Sequence, residues 1–260
     1  MHRKLLFHCR LACWAAGVLL VLGTGQVGAA DMTKTVAAVK PSVVGIGTYQ
    51  KTRSPAIRFV GTGFVTGDGL SVITNAHVVP ELLDSEKFEQ LGVVTGEADA
   101  ISFRPAELVA RDRPHDLAHL RLSGAPMPAL RLGDSTVIQE GQNLAFTGFP
   151  LGMALGLNRV THRAMLSAIT PLVMPSLSSR GLDARAITQL QRAPFRIFQL
   201  DGTAYPGNSG SPVYDPDTGE VLGVINMVFV KGLKESAITS PSGITYAVPV
   251  SYVQELLRKK

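Results

Sequence analysis

Short apolar runs rich in Val, Ile and Phe, parted by clusters of Gly, Pro, Asp and Asn, follow one another from Asp31 almost to the C-terminus. They cover residues 43–49, 59–65, 71–74, 106–111, 117–122, 143–149, 160–169, 197–201, 221–230 and 244–248. Runs of this length, bounded by turn residues, read as strands. Many short strands with regular turn signals predict an all-β barrel or sandwich.

Helical signal is confined to three places. After Pro249, Ser251 and Gln254 have capping-box spacing, and Val253, Leu256 and Leu257 share one apolar face, which predicts a C-terminal helix over 251–258 packed on the β-body. Residues 81–91 and 183–191 carry weaker helical patterns. Residues 171–194 form the best candidate for an irregular loop, and loops of that length in compact domains are usually functional or mobile. No internal repeat or long linker divides the chain, and 260 residues at 45% hydrophobic and 17% charged can bury a sizeable core.

The first thirty residues differ from the rest. Arg3, Lys4 and Arg10 precede an apolar run from Leu11 to about Leu22, and small residues lead up to Asp31. This is a secretory signal pattern over residues 1–30, with cleavage expected after Ala29 or Ala30, and the run is too short to span a bilayer comfortably. No stable membrane insertion is expected after cleavage. Both cysteines, Cys9 and Cys13, lie inside the segment, so the mature chain would carry no disulfide. Cys13 lies near the start of the apolar run and not after it, which argues against a lipoprotein. Removing three basic residues leaves 22 against 20 acidic ones, a balance of +2 with no basic stripe for nucleic acid.

Acyl transfer by serine needs a nucleophile, a base, an acid that orients the base, and amide donors for the oxyanion. Three phrases supply these parts. Gly61-Thr62-Gly63-Phe64 is followed by Ser71-Val72-Ile73-Thr74-Asn75-Ala76-His77-Val78-Val79, in which a strand ends in a turn carrying His77. Asp116 opens an apolar strand in His115-Asp116-Leu117-Ala118-His119-Leu120 and is the candidate acid; nearby Asp112 sits between Arg111 and Arg113 and reads as solvated. His115 and His119 have a metal-ligand spacing, but the Glu of a helical zinc-protease motif is missing and no metal or other cofactor is expected. The most specific phrase is Asp201-Gly202-Thr203-Ala204-Tyr205-Pro206-Gly207-Asn208-Ser209-Gly210-Ser211-Pro212-Val213. Glycines on both sides of Ser209 allow a tight turn, so backbone amides among Gly207, Asn208 and Ser209 can converge on an oxyanion.

These phrases resemble those of the trypsin-like peptidase superfamily, and especially its HtrA/Deg branch. Gly148-Phe149-Pro150-Leu151-Gly152, Gly223-Val224-Ile225-Asn226 and Tyr246-Ala247-Val248-Pro249 extend the likeness across nearly all of residues 36–258. The order His, Asp, Ser is the one that family uses. The resemblance implies two six-stranded antiparallel β-barrels, the first over about 36–135 and the second over about 140–250. It also implies a triad of His77, Asp116 and Ser209 in the cleft between them. His77 and Asp116 would belong to the first barrel and Ser209 to the second, and the expected activity is serine endopeptidase cleavage of polypeptides, unfolded ones foremost.

The chain departs from the family in four respects. Gly210 is followed by Ser211 where a second glycine is usual, as in glutamyl endopeptidases, yet those typically have a histidine where this chain has Asn226. Branch members commonly carry PDZ domains after the protease domain, and none is read here. The aromatic N-terminal segment that helps many relatives trimerise is not evident between Asp31 and Val39, so no oligomeric state is implied. Where enzymes preferring Arg or Lys have an aspartate six residues before the nucleophile, this chain has Thr203, which favours a small or medium apolar residue before the scissile bond. Thr203, Tyr205, Asn226 and Val228 are the candidate pocket walls. The alternative function is a catalytically silent or gated binding protein on the same fold, and the signal pattern with the HtrA likeness points to the bacterial periplasm or outside the cell.

Overall fold

The computed structural model describes residues 31–96, 101–171, 195–227 and 243–259. A first helix, α1 (Met32–Val39), is capped by the Asp31 carboxylate, which accepts from the Thr33 amide at 3.0 Å. The first barrel then comprises β1 (Val43–Tyr49), β2 (Ile57–Thr66), β3 (Ser71–Asn75), β4 (Gln90–Thr95), β5 (Ser102–Asp112) and β6 (Leu117–Leu122). The second comprises β7 (Asn143–Gly148), β8 (Val160–Pro171), β9 (Arg196–Asp201), β10 (Pro212–Tyr214), β11 (Val221–Ile225) and β12 (Ile244–Pro249), and α2 (Val250–Arg258) follows. Both sheets close, in the orders β1-β2-β3-β6-β5-β4 and β10-β11-β12-β9-β8-β7, and every pairing within them is antiparallel. The expected architecture of two six-stranded barrels with a short C-terminal helix is therefore present.

The apolar runs are continuous because key strands are buried on both faces. In β3, Val72 packs inside the first barrel with Val44, Val65 and Leu120, while Ile73 points the other way into a cluster with Phe64, Leu117, Tyr214 and Val224. In β11, Leu222 and Ile225 fill the second barrel, and Val221 and Val224 join that shared cluster. Each such side chain contributes about 1.5–3 kcal/mol of burial. The shared cluster cements the two barrels, and α2 adds the fully buried Val250, Val253 and Leu256 to it.

Four local expectations are corrected. Residues 81–91 are not helical: Leu82 and Phe88 are 88% and 83% exposed, Asp84 accepts from the Lys87 amide, and the chain enters β4 at Gln90. With no apolar face buried, the short helix has nothing to stabilise it. Helix α2 starts at Val250 and no capping box forms. The Ser251 amide donates instead to Ser135 Oγ at 3.1 Å, and Gln254 Nε2 reaches the Gly133 carbonyl at 3.0 Å. β11 ends at Ile225, so Asn226 leaves the sheet. β4 and β10 were not among the anticipated strands. The expected helix at 183–191, the signal segment, Val228 and all of the loop expected at 171–194 except Pro171, which ends β8, lie outside the described residues. Among those described, no helix is long and apolar enough to cross a membrane.

Candidate active site

His77 lies in a 3-10 turn (Ala76–Val78) that ends β3. Register does the rest: Asn75 pairs with Leu117, so the end of β3 meets the start of β6. Two further bonds lock the join, from the Ala76 amide and from Asn75 Nδ2 to the Asp116 carbonyl, at 3.0 and 3.1 Å. Asp116 adopts φ +54°, a left-handed conformation that short polar residues tolerate. Its carboxylate thereby faces His77. Oδ1 accepts from the His77 amide at 2.9 Å, and Oδ2 lies 2.6 Å from His77 Nδ1. A carboxylate on Nδ1 selects the tautomer protonated there and leaves Nε2 as an acceptor.

Asn226 completes the surroundings of that carboxylate. Its Nδ2 donates to Asp116 Oδ2 at 2.8 Å, so this candidate pocket residue also touches the acid. The anticipated solvated Asp112 is also corrected, since its side chain is only 4% exposed. Asp112 Oδ2 lies 3.0 Å from both His115 Nδ1 and Lys259 Nζ, and the His115 ring stacks on Tyr252 of α2 at 4.1 Å. Burial pushes the Asp112 carboxyl upward, but hydrogen bonds from His115 and Lys259 outweigh it and hold the group below its ordinary value. His115 thus belongs to a structural cluster, and among the described residues no group of three or more His, Cys, Asp or Glu side chains could hold a metal ion.

Ser209 is buried, at 7% exposure, in the turn that leads into β10. Its carbonyl accepts from the Thr62 amide of β2 at 2.8 Å. Gly61 is wedged between the two halves of the site: a Cβ there would lie 2.8 Å from a Val78 methyl and 3.2 Å from the Ser209 carbonyl oxygen. The segment carrying Ser209 therefore packs against the residue next to His77, across the barrel interface.

Of the amides from Gly207 to Ser211, the hydrogen bonds leave two over. Asn208 N–H donates to the Tyr205 carbonyl at 2.9 Å, which removes it from the anticipated oxyanion donors. Gly210 N–H donates to Ile225 and Ser211 N–H to Asn208, both at 3.0 Å. Among the described residues, the N–H groups of Gly207 and Ser209 meet no acceptor. Gly207 adopts φ +101°, and a Cβ there would strike the Phe149 carbonyl, so only glycine fits.

Thr203 and Tyr205 are both partly exposed at the approach to this turn. The Tyr205 ring lies 6.2 Å from that of His162, which stacks on Phe146 and whose pKa burial depresses. The departure at Ser211 has a local counterpart. Ser211 is fully buried, and its Oγ lies where a Cβ on Gly148 would be. Beside His77 a cleft of about 240 Å³ opens, lined by Thr48, Arg58, Val60, Val78, Pro80, Leu82 and Glu89.

The chain is similar to known proteins in sequence and in fold. The trypsin-like peptidase domain family matches residues 61–224. A probable periplasmic serine endoprotease, DegP-like, from Halomonas elongata is 28% identical over 199 residues, which is 76% of this chain and 34% of that protein. The mitochondrial serine protease HTRA2 of Drosophila willistoni is 30% identical over the same length, covering 38% of that protein. The chain thus matches little more than a third of the length of these relatives. Among solved structures, the active form of the Rv3671c protease from M. tuberculosis superposes with a TM-score of 0.62 at 24% identity, covering 86% of this chain and 83% of that one. The HtrA-type protease AlgW with a tripeptide gives 0.59 at 21% identity, over 88% of this chain and 62% of that one. At these identities the superpositions bear on the fold, which they share.

Proposed function

The chain belongs to the trypsin-like peptidase family, and from that premise we propose that it is a serine endopeptidase in which His77, Asp116 and Ser209 form the triad. In this reading Ser209 Oγ attacks the carbonyl carbon of a peptide bond while His77 Nε2 takes its proton. Asp116 holds the imidazole and balances the charge it acquires. The negative oxygen of the tetrahedral intermediate accepts from the amides of Gly207 and Ser209. His77 then gives its proton to the leaving amine, an acyl-enzyme remains on Ser209, and water activated by the same imidazole releases the acid.

The observation that carries this reading is the hydrogen-bond accounting around Ser209. The backbone N–H groups of Asn208, Gly210 and Ser211 are all bonded while those of Gly207 and Ser209, on either side of Asn208, are left for a negative oxygen, a provision that a binding protein on the same fold does not need. Polypeptide is the substrate class proposed, unfolded chains first, in keeping with the branch that the sequence resembles. Thr203 supplies no counter-charge for a basic side chain, which favours small or medium apolar residues before the scissile bond. Residues 1–30 are proposed to direct the protein to the periplasm or beyond; the Halomonas relative is described as periplasmic. Incubating residues 31–260 with a permanently unfolded protein, beside Ser209→Ala, tests the proposal. Cleavage by the first alone is expected, with apolar residues preceding the cut sites. Folded protein that cleaves nothing would support the binding alternative.

A further inference from the structure

Thr62 stands outside the triad yet bonds the nucleophile turn through both its amide and its hydroxyl. Its amide donates to the Ser209 carbonyl at 2.8 Å. Its hydroxyl donates to the Gly207 carbonyl at 2.7 Å and accepts from the Phe149 amide at 3.1 Å. Its own carbonyl is held by Thr74 Oγ1 at 2.6 Å. The residue is fully buried on β2, on the side of the first barrel that faces the second.

The consequence follows from peptide planarity. A peptide unit is rigid, so fixing its carbonyl fixes the N–H at its other end. The unit joining Pro206 and Gly207 is held by its carbonyl, which accepts from the Leu151 amide at 2.7 Å. The unit joining Gly207 and Asn208 is held at both ends, by the Thr62 hydroxyl and by the Tyr205 carbonyl. Gly207 therefore has its two flanking units clamped, and its own N–H has one direction left. Without those clamps a glycine at φ +101° is free to turn over. The same hydroxyl ties the turn around Phe149, which supplies the Leu151 amide, to the same point.

Taking the peptidase reading as given, we infer that the Thr62 hydroxyl is a positioning group for the oxyanion site, acting through Gly207. It links the first barrel, the nucleophile turn and the Phe149 turn, so that the Gly207 amide is aimed before substrate arrives. Its contribution falls on the transition state, where the oxyanion exists, and not on ground-state binding.

The test compares Thr62→Val, Thr62→Ser and Thr62→Ala in residues 31–260 on a peptide substrate, with the folded fraction measured by thermal unfolding. Valine removes the hydroxyl at similar shape, serine keeps it, and alanine removes it together with the methyl. Losing one oxyanion donor outright costs about 100- to 1,000-fold in kcat. Loosening one should cost Thr62→Val about 10- to 100-fold in kcat per folded molecule. KM and the pH profile should stay unchanged, and affinity for a peptide boronic acid should fall in step with kcat. Thr62→Ser should retain activity within about twofold, since its hydroxyl makes the same bonds. If Thr62→Val does not fold, the serine and alanine pair decides by the same comparison. Wild-type kcat in a folded hydroxyl-less variant, or a loss in Thr62→Ser as large as in Thr62→Ala, overturns the inference while leaving the peptidase reading intact. An inactive wild type removes both.

Discussion

Asn226 Nδ2 lies 2.8 Å from Asp116 Oδ2, the same oxygen that meets His77 Nδ1 at 2.6 Å. The carboxylate is thus held from the second barrel as well as from the first. Asn226→Ala should lower kcat/KM about tenfold, the equivalent of one hydrogen bond to a charged group. Asn226→Asp should cost more, because it sets a like charge beside Asp116. Steady-state kinetics on both variants checks the order, and equal losses would mean that the amide contributes shape alone.

Gly210 adopts φ +89°, and a Cβ there would collide with the Thr62 carbonyl and Thr74 Oγ1. Gly67, at φ +64°, has open space around it. Gly210→Ala should therefore destabilise by more than about 3 kcal/mol, since backbone strain and collision add. Gly67→Ala should cost only the strain, about 1 kcal/mol. Urea unfolding of the two variants separates these contributions.

Asp112 links β5 to α2 through Lys259 and sits beside His115, whose ring packs on Tyr252. Asp112→Asn should destabilise the fold by about 1–3 kcal/mol at neutral pH, by leaving its partners under-satisfied. A carboxyl held below its ordinary value stabilises the folded state above the unfolded pKa, and that contribution is lost as pH falls through the folded one. The stability gap between wild type and variant should therefore be full at pH 7 and shrink below about pH 4. A gap independent of pH would show that the charge is not involved.

Much of the fold was legible because its turn residues sit where the strands end. β1 and β6 run over 43–49 and 117–122, the intervals their apolar runs predict, since Gln50 and Ser123 break the pattern. β10 was too short to register, at three residues, and β4 was hidden by the apolar residues of 82–88, whose spacing imitates a helix. Periodicity cannot tell a buried apolar face from an exposed one. The candidate site was legible as residue types but not as hydrogen bonds. The bond from Asn226 to Asp116 is not legible from its phrase, because only the turn after Ile225 brings the two together. The arginine neighbours of Asp112 suggest a solvated side chain, whereas its partners come from residue 115 and from Lys259. That Asn208 N–H is taken up by the Tyr205 carbonyl is a contact inside the turn that residue types alone do not specify.

The central claim is that Ser209 is a nucleophile made reactive by His77. Its most direct test is labelling residues 31–260 with a fluorophosphonate, followed by mass spectrometry of the modified peptide, for wild type and His77→Ala. The account predicts a single adduct on Ser209 in the wild type and its loss in a folded His77→Ala protein. An unlabelled but folded wild type, or labelling that persists at full rate without His77, would contradict it.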